Sequence, residues 1–412
     1  MKTIAIVVQR YGKKVNGGAE FHARILAEHL NKNYNVHVLT TTAIDYHSWA
    51  NHYPSGNTEI NGVKVIRFST RRKSNRTMRK ARRAISKKKK YFKLLRFLRL
   101  FNFFDKNFNI SRVTNSDIKN WLAGQGPYCP DLIAYLHKKG DMYDGFIFFT
   151  YLYYPTAVGM PIVKEKAIFI PTAHDEPPLY TKPYEKLFAQ PKFIMYNTES
   201  EKDLIENHFS DYCKNTAIAG VGIDTYSLPS GYASEKFDFN FPYFIYIGRI
   251  DHAKGCEELI LFFKKYNEKN HNVKLVMVGK DFMEVKPEDN IILTGFVSEE
   301  DKYFLLQNSL GLIIPSKYES LSIVTLEAMA CGKLPIVNGD CEVLKHHIEK
   351  SRTGFYYTNY TSFEEALEKA LNIDNKTKEI LSQRAISYVK ENYSWPAILE
   401  KFDKAIDFVS QK

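Results

Sequence analysis

Two glutamates, Glu319 and Glu327, frame the segment of this chain that is richest in chemistry. Residues 310–314, Leu-Gly-Leu-Ile-Ile, form an apolar run that predicts a buried strand, so Glu319 falls in the loop at that strand's carboxyl end. A helix is expected to begin near Leu321 or Ser322. The first N–H groups of such a helix, here around Ser322, Ile323 and Val324, lack intrahelical partners and sit at the positive end of its dipole. That is a site for a phosphate. Glu327 lies about one and a half turns further on, and helical side chains lean toward the N-terminus. Its carboxylate can therefore accept from the paired hydroxyls of a ribose. Glu319 could do the same for a sugar carried by the phosphate. The plainer alternative makes Glu327 a surface helix residue and Glu319 a companion of the helix dipole.

A second group, Gly248-Arg249-Ile250-Asp251-His252-Ala253-Lys254-Gly255, follows the strand-like run 243–247. Arg249 and Lys254 flank a loop that leads into a helix. Two cations and a helix N-terminus suit a departing diphosphate, whose oxygens gain charge as the bond to the sugar breaks. Each charge-assisted hydrogen bond contributes roughly 1.5–3 kcal/mol. The plainer alternative is two solvated charges.

A third group, Pro171-Thr172-Ala173-His174-Asp175-Glu176-Pro177-Pro178, follows the apolar run 167–170. His174 can donate to a sugar hydroxyl or orient a carbonyl, and Asp175 and Glu176 could hold an acceptor hydroxyl. A rigid Pro-flanked loop with a structural histidine is the alternative. A fourth, Asn16-Gly17-Gly18-Ala19-Glu20, lets backbone approach a ligand at Gly18. It is not a GxGxxG, so it carries little dinucleotide signal, and Glu20 could simply cap the helix. No Asp-x-Asp and no His/Cys cluster with ligand spacing occurs. His346 and His347 are adjacent, and adjacent helical residues do not share a face. No metal and no cofactor are expected.

The elements that must hold these groups follow a repeating order. Residues 4–8 predict a buried strand, 19–31 a helix and 36–39 a second strand, with the glycine loop between the first two. Strands are expected at 145–149, 167–170 and 193–196, and a helix at 199–209 after a Thr198 cap. Pro and Gly mark 227–242 as a linker. The pattern restarts with strands at 243–247, 273–278, 291–293, 310–314 and 334–337, and helices at 255–267, 299–308 and 321–331. Two helices surround Ser394-Trp395-Pro396, and 105–140 predicts helices with a turn. The fold class is α/β, with two Rossmann-like doubly wound domains facing across a cleft. An N-terminal domain is expected over 1–226, with a basic insertion at 71–104. A C-terminal domain is expected over 243–393, with a final helix at 394–412 expected to cross back to the first.

At 412 residues, with 44% apolar and 25% charged, the chain has the composition of a soluble globular protein with two domains. Five scattered cysteines suggest free thiols in a reducing compartment. No signal peptide and no spanning run are expected, which places the protein in the cytoplasm. The formal charge of +12 is local: residues 71–99 hold fifteen Lys or Arg and no acid, and without them the chain carries −3. Within it, Lys93, Arg96 and Arg99 share one arc of a helix over 91–104, opposite Leu94, Phe97, Leu98, Phe101 and Phe104. Such a helix suits the anionic inner face of the plasma membrane. It could instead pack on its own domain. No nucleic-acid-binding module accompanies the charge, so a nucleic-acid partner is not expected.

These groups together resemble glycosyltransferase family 4, retaining enzymes of the GT-B fold. The resemblance rests on the E-x7-E element Glu319–Glu327 with Ala328-Met329-Ala330-Cys331-Gly332, and on a G-R-x-x-x-x-K-G element, Gly248 to Gly255. His174, the glycine loop, Asn197-Thr198-Glu199-Ser200 and Gly222-Ile223-Asp224 extend it over most of the chain except about 70–140. It implies that Arg249 and Lys254 bind the donor diphosphate, Glu327 the ribose and Glu319 the transferred sugar. His174 would contact the sugar, and Gly18 the diphosphate or acceptor. It also implies a nucleotide-diphosphate sugar donor, a carbohydrate or lipid-linked acceptor, and front-side attack in which the leaving phosphate takes the acceptor's proton. Family members commonly carry Gly-Phe-Gly-Leu-Pro after the first glutamate. Here Ser320-Leu321-Ser322-Ile323-Val324 stands instead. An epimerase, a phosphorylase or a non-catalytic nucleotide-sugar-binding protein of the same fold are the alternatives.

Overall fold

The computed structural model describes the chain apart from residues 16, 73–74, 86–94, 96–99, 101–103, 105–112, 225–227, 238, 270–272, 287 and 412. It divides into two compact units, Met1–Ala219 with Lys401–Lys412, and Gly220–Glu400. The boundary precedes the expected linker at 227–242. Packing explains the shift. A Cβ at Gly222 would lie 2.2 Å from the indole of Trp395, and the Ile223 N–H donates to the Tyr393 carbonyl at 2.8 Å. The chain is thus already fastened into the second unit at Gly222.

The first unit is built on an eight-stranded sheet in the order β3-β4-β2-β1-β5-β6-β7-β8. Its strands are β1 Thr3–Val7, β2 Asn35–Thr41, β3 Gly56–Ile60, β4 Val63–Phe68, β5 Gly145–Phe149, β6 Ala167–Ile170, β7 Phe193–Tyr196 and β8 Thr216–Ile218. All neighbours are parallel except β3 and β4. The central strands β5 and β6 are wholly buried, as their unbroken apolar sequences require. The hairpin β3–β4 and the edge strand β8 were not expected. The hairpin turns on Asn61-Gly62, both with positive φ, the two-residue turn whose twist matches the strands.

Helix α1, Gly18–Leu30, buries Ala23, Leu26, Ala27 and Leu30 at helical spacing. α2 Asn75–Ile85, α3 Asn115–Gln125, α4 Pro130–Lys139, α5 Tyr154–Gly159 and α6 Glu199–His208 complete the unit. Thr198 caps α6 as expected, accepting from the Glu201 N–H at 3.1 Å. α2 realises part of the basic segment, with Ala81 and Ile85 buried. The amphipathic helix expected over 91–104 lies outside the described residues except for Leu95, Leu100 and Phe104.

The second unit has a parallel six-stranded sheet, β11-β10-β9-β12-β13-β14. The strands are β9 Tyr243–Ile247, β10 Lys274–Val278, β11 Ile291–Gly295, β12 Leu312–Ile314, β13 Pro335–Asn338 and β14 Phe355–Tyr357. Helices α7 Cys256–Asn267, α8 Glu299–Asn308, α9 Ile323–Ala330, α10 Glu342–Ser351, α11 Tyr360–Leu371 and α12 Asn375–Asn392 cover it. From β9 the chain winds first to β10 and β11, then to β12, β13 and β14 on the other side. The strand order therefore reverses between β9 and β12, which is where ligands bind in such sheets.

The last helix, α13 Trp395–Ser410, starts in the second unit, and from Lys401 onward it belongs to the first. There Asp407 pairs with Lys2 at 2.7 Å, Asp403 accepts from Tyr34 at 2.8 Å, and Ile406 and Val409 are buried. The five cysteines are free thiols. Among the described residues no helix is long and apolar enough to cross a membrane.

Candidate functional site

In the second unit the loops after β9 and β12 meet because those strands are neighbours. Glycines permit the approach. A Cβ at Gly255, whose φ is +74°, would stand 2.5 Å from the Pro315 carbonyl, and one at Gly279, just after the neighbouring strand β10, would stand 1.8 Å from the Gly248 carbonyl. Tyr246 donates its hydroxyl to the Arg249 carbonyl at 2.6 Å. Asp251 accepts from the Lys254 N–H at 2.8 Å and lies 3.5 Å from the Arg249 guanidinium. The loop that carries both cations is thus braced from within.

Lys254 Nζ donates to Glu319 Oε1 at 2.7 Å. This joins the two motifs that the sequence presents 65 residues apart. Helix α9 begins at Ile323, one or two residues beyond expectation, because Ser322 at its N-cap has φ +60° and ψ +71°. That left-handed conformation is uncommon for a residue with a side chain. The Ser322 hydroxyl shares a hydrogen bond with that of Thr325 at 2.8 Å. Ser322, Ile323 and Val324 therefore sit at the helix mouth where a phosphate site was anticipated.

Glu327 is not a surface residue. Only 6% exposed, its Oε1 accepts from Lys302 Nζ at 3.0 Å and from the Tyr303 hydroxyl at 3.3 Å. Burial raises its carboxyl pKa, and Lys302 opposes that shift. Burial alone would lower Lys302, but Glu327 and Glu299 outweigh it and hold the ammonium above its ordinary value. Lys302 and Tyr303 carried no signal in the sequence, since they reach Glu327 from a different helix.

His347 is a second residue with an unforeseen place. Buried on α10, it lies with Nε2 2.8 Å from the Leu321 carbonyl and Nδ1 3.0 Å from the Tyr388 hydroxyl. A carbonyl only accepts, so Nε2 carries the proton and Nδ1 accepts from Tyr388. Burial lowers its pKa to about 4, so the ring is neutral. It anchors the turn between Glu319 and α9.

In the first unit, His174, Asp175 and Glu176 follow β6 as expected. Glu176 accepts from the Tyr151 hydroxyl at 2.6 Å and lies 3.5 Å from His174 Nε2. Burial pushes its carboxyl up, but His174 and Tyr151 win, and its pKa is lowered. Asp175 accepts from Tyr180 at 2.5 Å. Both carboxylates therefore engage their own unit. Thr150 and Thr172, at the ends of β5 and β6, have positive φ and bond each other at 3.0 Å. Buried Glu201 accepts from the Ala173 N–H at 2.6 Å and the Asn197 N–H at 2.7 Å. It thereby ties the His174 loop to the turn after β7.

Gly18 opens α1, and a Cβ there would meet nothing within 4 Å. Glu20 corrects the capping expectation. It is buried and accepts from Gln9 at 2.9 Å and from Arg10 Nε at 2.8 Å. A guanidinium in the β1 loop outcompetes the helix end for it. Gly18, His174, Asp175 and Glu176 belong to the first unit, and Arg249, Lys254, Glu319, Ser322, Ile323, Val324 and Glu327 to the second.

Comparison with known proteins agrees with this architecture. Residues 233–388 match the family model of glycosyl transferases group 1. An uncharacterized glycosyltransferase of Methanocaldococcus jannaschii is 31% identical over 38% of this chain and 42% of its own length. The capsular polysaccharide biosynthesis glycosyltransferase CapM of Staphylococcus aureus is 23% identical over 55% of this chain and 63% of its own. The matched chain thus spans about half the length of these curated relatives. The solved structure of Anabaena HepE, in complex with UDP and glucose, superposes with a TM-score of 0.67 at 13% identity, covering 99% of this chain and 100% of that one. The fold is that of the two-domain GT-B glycosyltransferases, with a glycosyl transferases group 1 match in the second unit.

Proposed function

We propose that this protein is a retaining glycosyltransferase of family 4. It transfers a hexose-type sugar from a nucleotide-diphosphate sugar to a carbohydrate or lipid-linked acceptor, in cell-surface polysaccharide or glycolipid synthesis. The observation that carries the reading is the Lys254–Glu319 pair at the strand-order reversal, beside the mouth of α9. The likeness to a capsular polysaccharide glycosyltransferase and to a structure holding UDP and glucose supports it.

In this reading Arg249, Lys254 and the N–H groups at Ser322, Ile323 and Val324 receive the diphosphate and stabilise its charge as the sugar leaves. Glu327 binds the ribose and Glu319 the sugar, with His174 contacting the sugar and Gly18 admitting diphosphate or acceptor. The leaving phosphate takes the acceptor's proton, and the configuration at the anomeric carbon is retained. The cations do this work without a metal, so a chelator leaves the rate unchanged. The enzyme acts in the cytoplasm, docked to the inner face of the plasma membrane through 71–104.

The test uses purified protein with a panel of nucleotide sugars, with and without membrane lipid extract. Released nucleotide diphosphate is measured, and the assay is repeated with Glu319→Ala and Arg249→Ala. Release from one donor, stimulated by the extract and lost in both variants, supports the reading. Release that needs no acceptor, or survives in both variants, overturns it.

A further inference from the structure

A pocket lies at the end of the second unit's sheet away from Lys254 and Glu319. Those two residues follow the carboxyl ends of β9 and β12. Leu310 and Leu334, which precede β12 and β13, line an open cavity of about 370 Å³ at the amino ends of the strands. That volume lies within the range of small-ligand pockets. Helix α12 forms one wall through Asn375, Lys378, Glu379 and Ser382, whose spacing of three and four residues puts them on one face. A glycine lets that wall come close. Gly332, with φ +69°, follows α9, and a Cβ there would stand 2.1 Å from the Ser382 hydroxyl.

The cations of this lining lack a counter-ion. Lys333, in the turn between α9 and β13, is half-buried and donates to the Ser309 carbonyl at 2.9 Å. An ammonium has three donors, and a carbonyl neutralises no charge. Burial and the neighbouring charge of Lys378 lower the Lys333 pKa to about 8, so at neutral pH it is still a cation beside another cation. Among the described residues neither lysine pairs with a carboxylate, and the side chains of Asn375, Lys378 and Ser382 make no hydrogen bond. Asp374, at the head of α12, is engaged in capping it, accepting from the Thr377 N–H at 3.0 Å and its hydroxyl at 2.6 Å. A bound dianion would relieve the repulsion between the two ammonium groups, and lysine is a common phosphate binder. Glu379 narrows the class. Its Oε1 accepts from Gln383 at 3.0 Å, and its other oxygen faces no donor among the described residues. A carboxylate repels a bare anion but accepts from hydroxyl groups, so the lining favours a phosphate carried on a hydroxylated body. Leu310 and Leu334 offer that body an apolar floor.

We propose that this pocket binds a sugar phosphate, with the phosphate between Lys333 and Lys378 and the sugar hydroxyls on Asn375, Glu379 and Ser382. The site is separate from the donor groups, at the opposite end of the sheet, and does not depend on the transferase reading.

The test is isothermal titration of the full chain with glucose 6-phosphate, in saturating UDP to fill the donor site. K378Q is compared with K376Q, which removes equal charge from the same helix outside the pocket lining. Both lysines are exposed, so neither variant threatens the fold. K378Q is expected to weaken glucose 6-phosphate at least tenfold, and K376Q less than threefold, in line with a charge-assisted bond lost only in the first. No binding by the wild type, equal weakening in both variants, or none in K378Q overturns the site. Titration with inorganic phosphate then separates the sugar from the anion. The wild type is expected to prefer glucose 6-phosphate, and E379Q to reduce that preference at least threefold. Inorganic phosphate bound as tightly as glucose 6-phosphate by the wild type, or a preference unchanged in E379Q, overturns the sugar assignment. UDP affinity is measured separately and is the same in all four proteins. Its absence from all four counts against the transferase reading, while the comparison of K378Q with K376Q still decides the pocket.

Discussion

Lys254 and Glu319 pair at 2.7 Å across the loops of two adjacent parallel strands. In the reading proposed here they serve different ends of one donor, the ammonium on the diphosphate and the carboxylate on the sugar. The pair holds each at its station before the donor arrives. Both side chains are partly exposed, at 27% and 15%, so the bridge contributes little to stability. Lys254→Ala is therefore expected to shift Tm only slightly while lowering kcat/KM on the order of 100-fold or more, as for other removed charge stabilisers. Glu319→Gln keeps the nucleotide's affinity and loses transfer. A large loss of Tm in Lys254→Ala, with activity intact, would recast the pair as structural.

The pair Lys302–Glu327 behaves differently because it is buried, at 12% and 8% side-chain exposure. Removing one partner of a buried pair costs about 3–5 kcal/mol, since the other is left uncompensated. Lys302→Met is expected to lower stability in that range, measured by denaturant unfolding. The double variant Lys302→Met/Glu327→Gln should recover most of it. A double variant no more stable than the single would remove the coupling. The same double variant, folded, should raise the KM for donor through loss of the ribose contact.

Much of this was legible in the sequence, and the exceptions share a cause. Buried parallel strands such as β5, β6 and β9 announce themselves as apolar runs, and the E-x7-E and G-R-x-x-x-x-K-G elements place their residues at strand ends. What stayed hidden depends on contacts between distant elements. Lys302 meets Glu327 from α8, His347 meets Leu321 from α10, and Glu201 gathers two loops, yet none has a spacing that sets it apart from an ordinary helix residue. Glu20 misled because local capping and a tertiary guanidinium compete for the same carboxylate. The hairpin β3–β4 is signalled in the sequence by Asn61-Gly62 alone. β3, at the sheet edge, is mostly exposed and lacks the apolar run that marks the central strands.

His347 makes the second unit sensitive to acid. Its pKa falls from 6.5 in the unfolded chain to about 4 in the fold, chiefly through burial. The folded state then binds fewer protons than the unfolded state between these values. Stability is thus fully present above pH 6.5 and is lost as pH falls toward about 4, by up to roughly 1.4 kcal/mol per pH unit. His347→Gln should flatten this part of the stability–pH curve relative to wild type. Any contribution from His22, likewise lowered by burial, cancels in that comparison. Because the ring anchors Leu321, donor affinity should fall over the same window in wild type. An unchanged curve in His347→Gln would mean that another group sets the acid limit.

Ser322 stands where family 4 members commonly have the second glycine of Gly-Phe-Gly-Leu-Pro, and its backbone keeps the left-handed conformation, with φ +60°. A residue with a Cβ pays about 1–2 kcal/mol there, offset in part by the bond to Thr325 at 2.8 Å. Ser322→Gly removes the strain and the bond together. It is expected to leave stability within about 1 kcal/mol of wild type and to preserve donor binding, since the helix mouth keeps its shape. Ser322→Val, β-branched, cannot hold this conformation cheaply and should lose both. Paired thermal unfolding and donor titrations on the two variants decide the matter. If valine were tolerated as well as glycine, the left-handed N-cap would not be what shapes the entrance to α9.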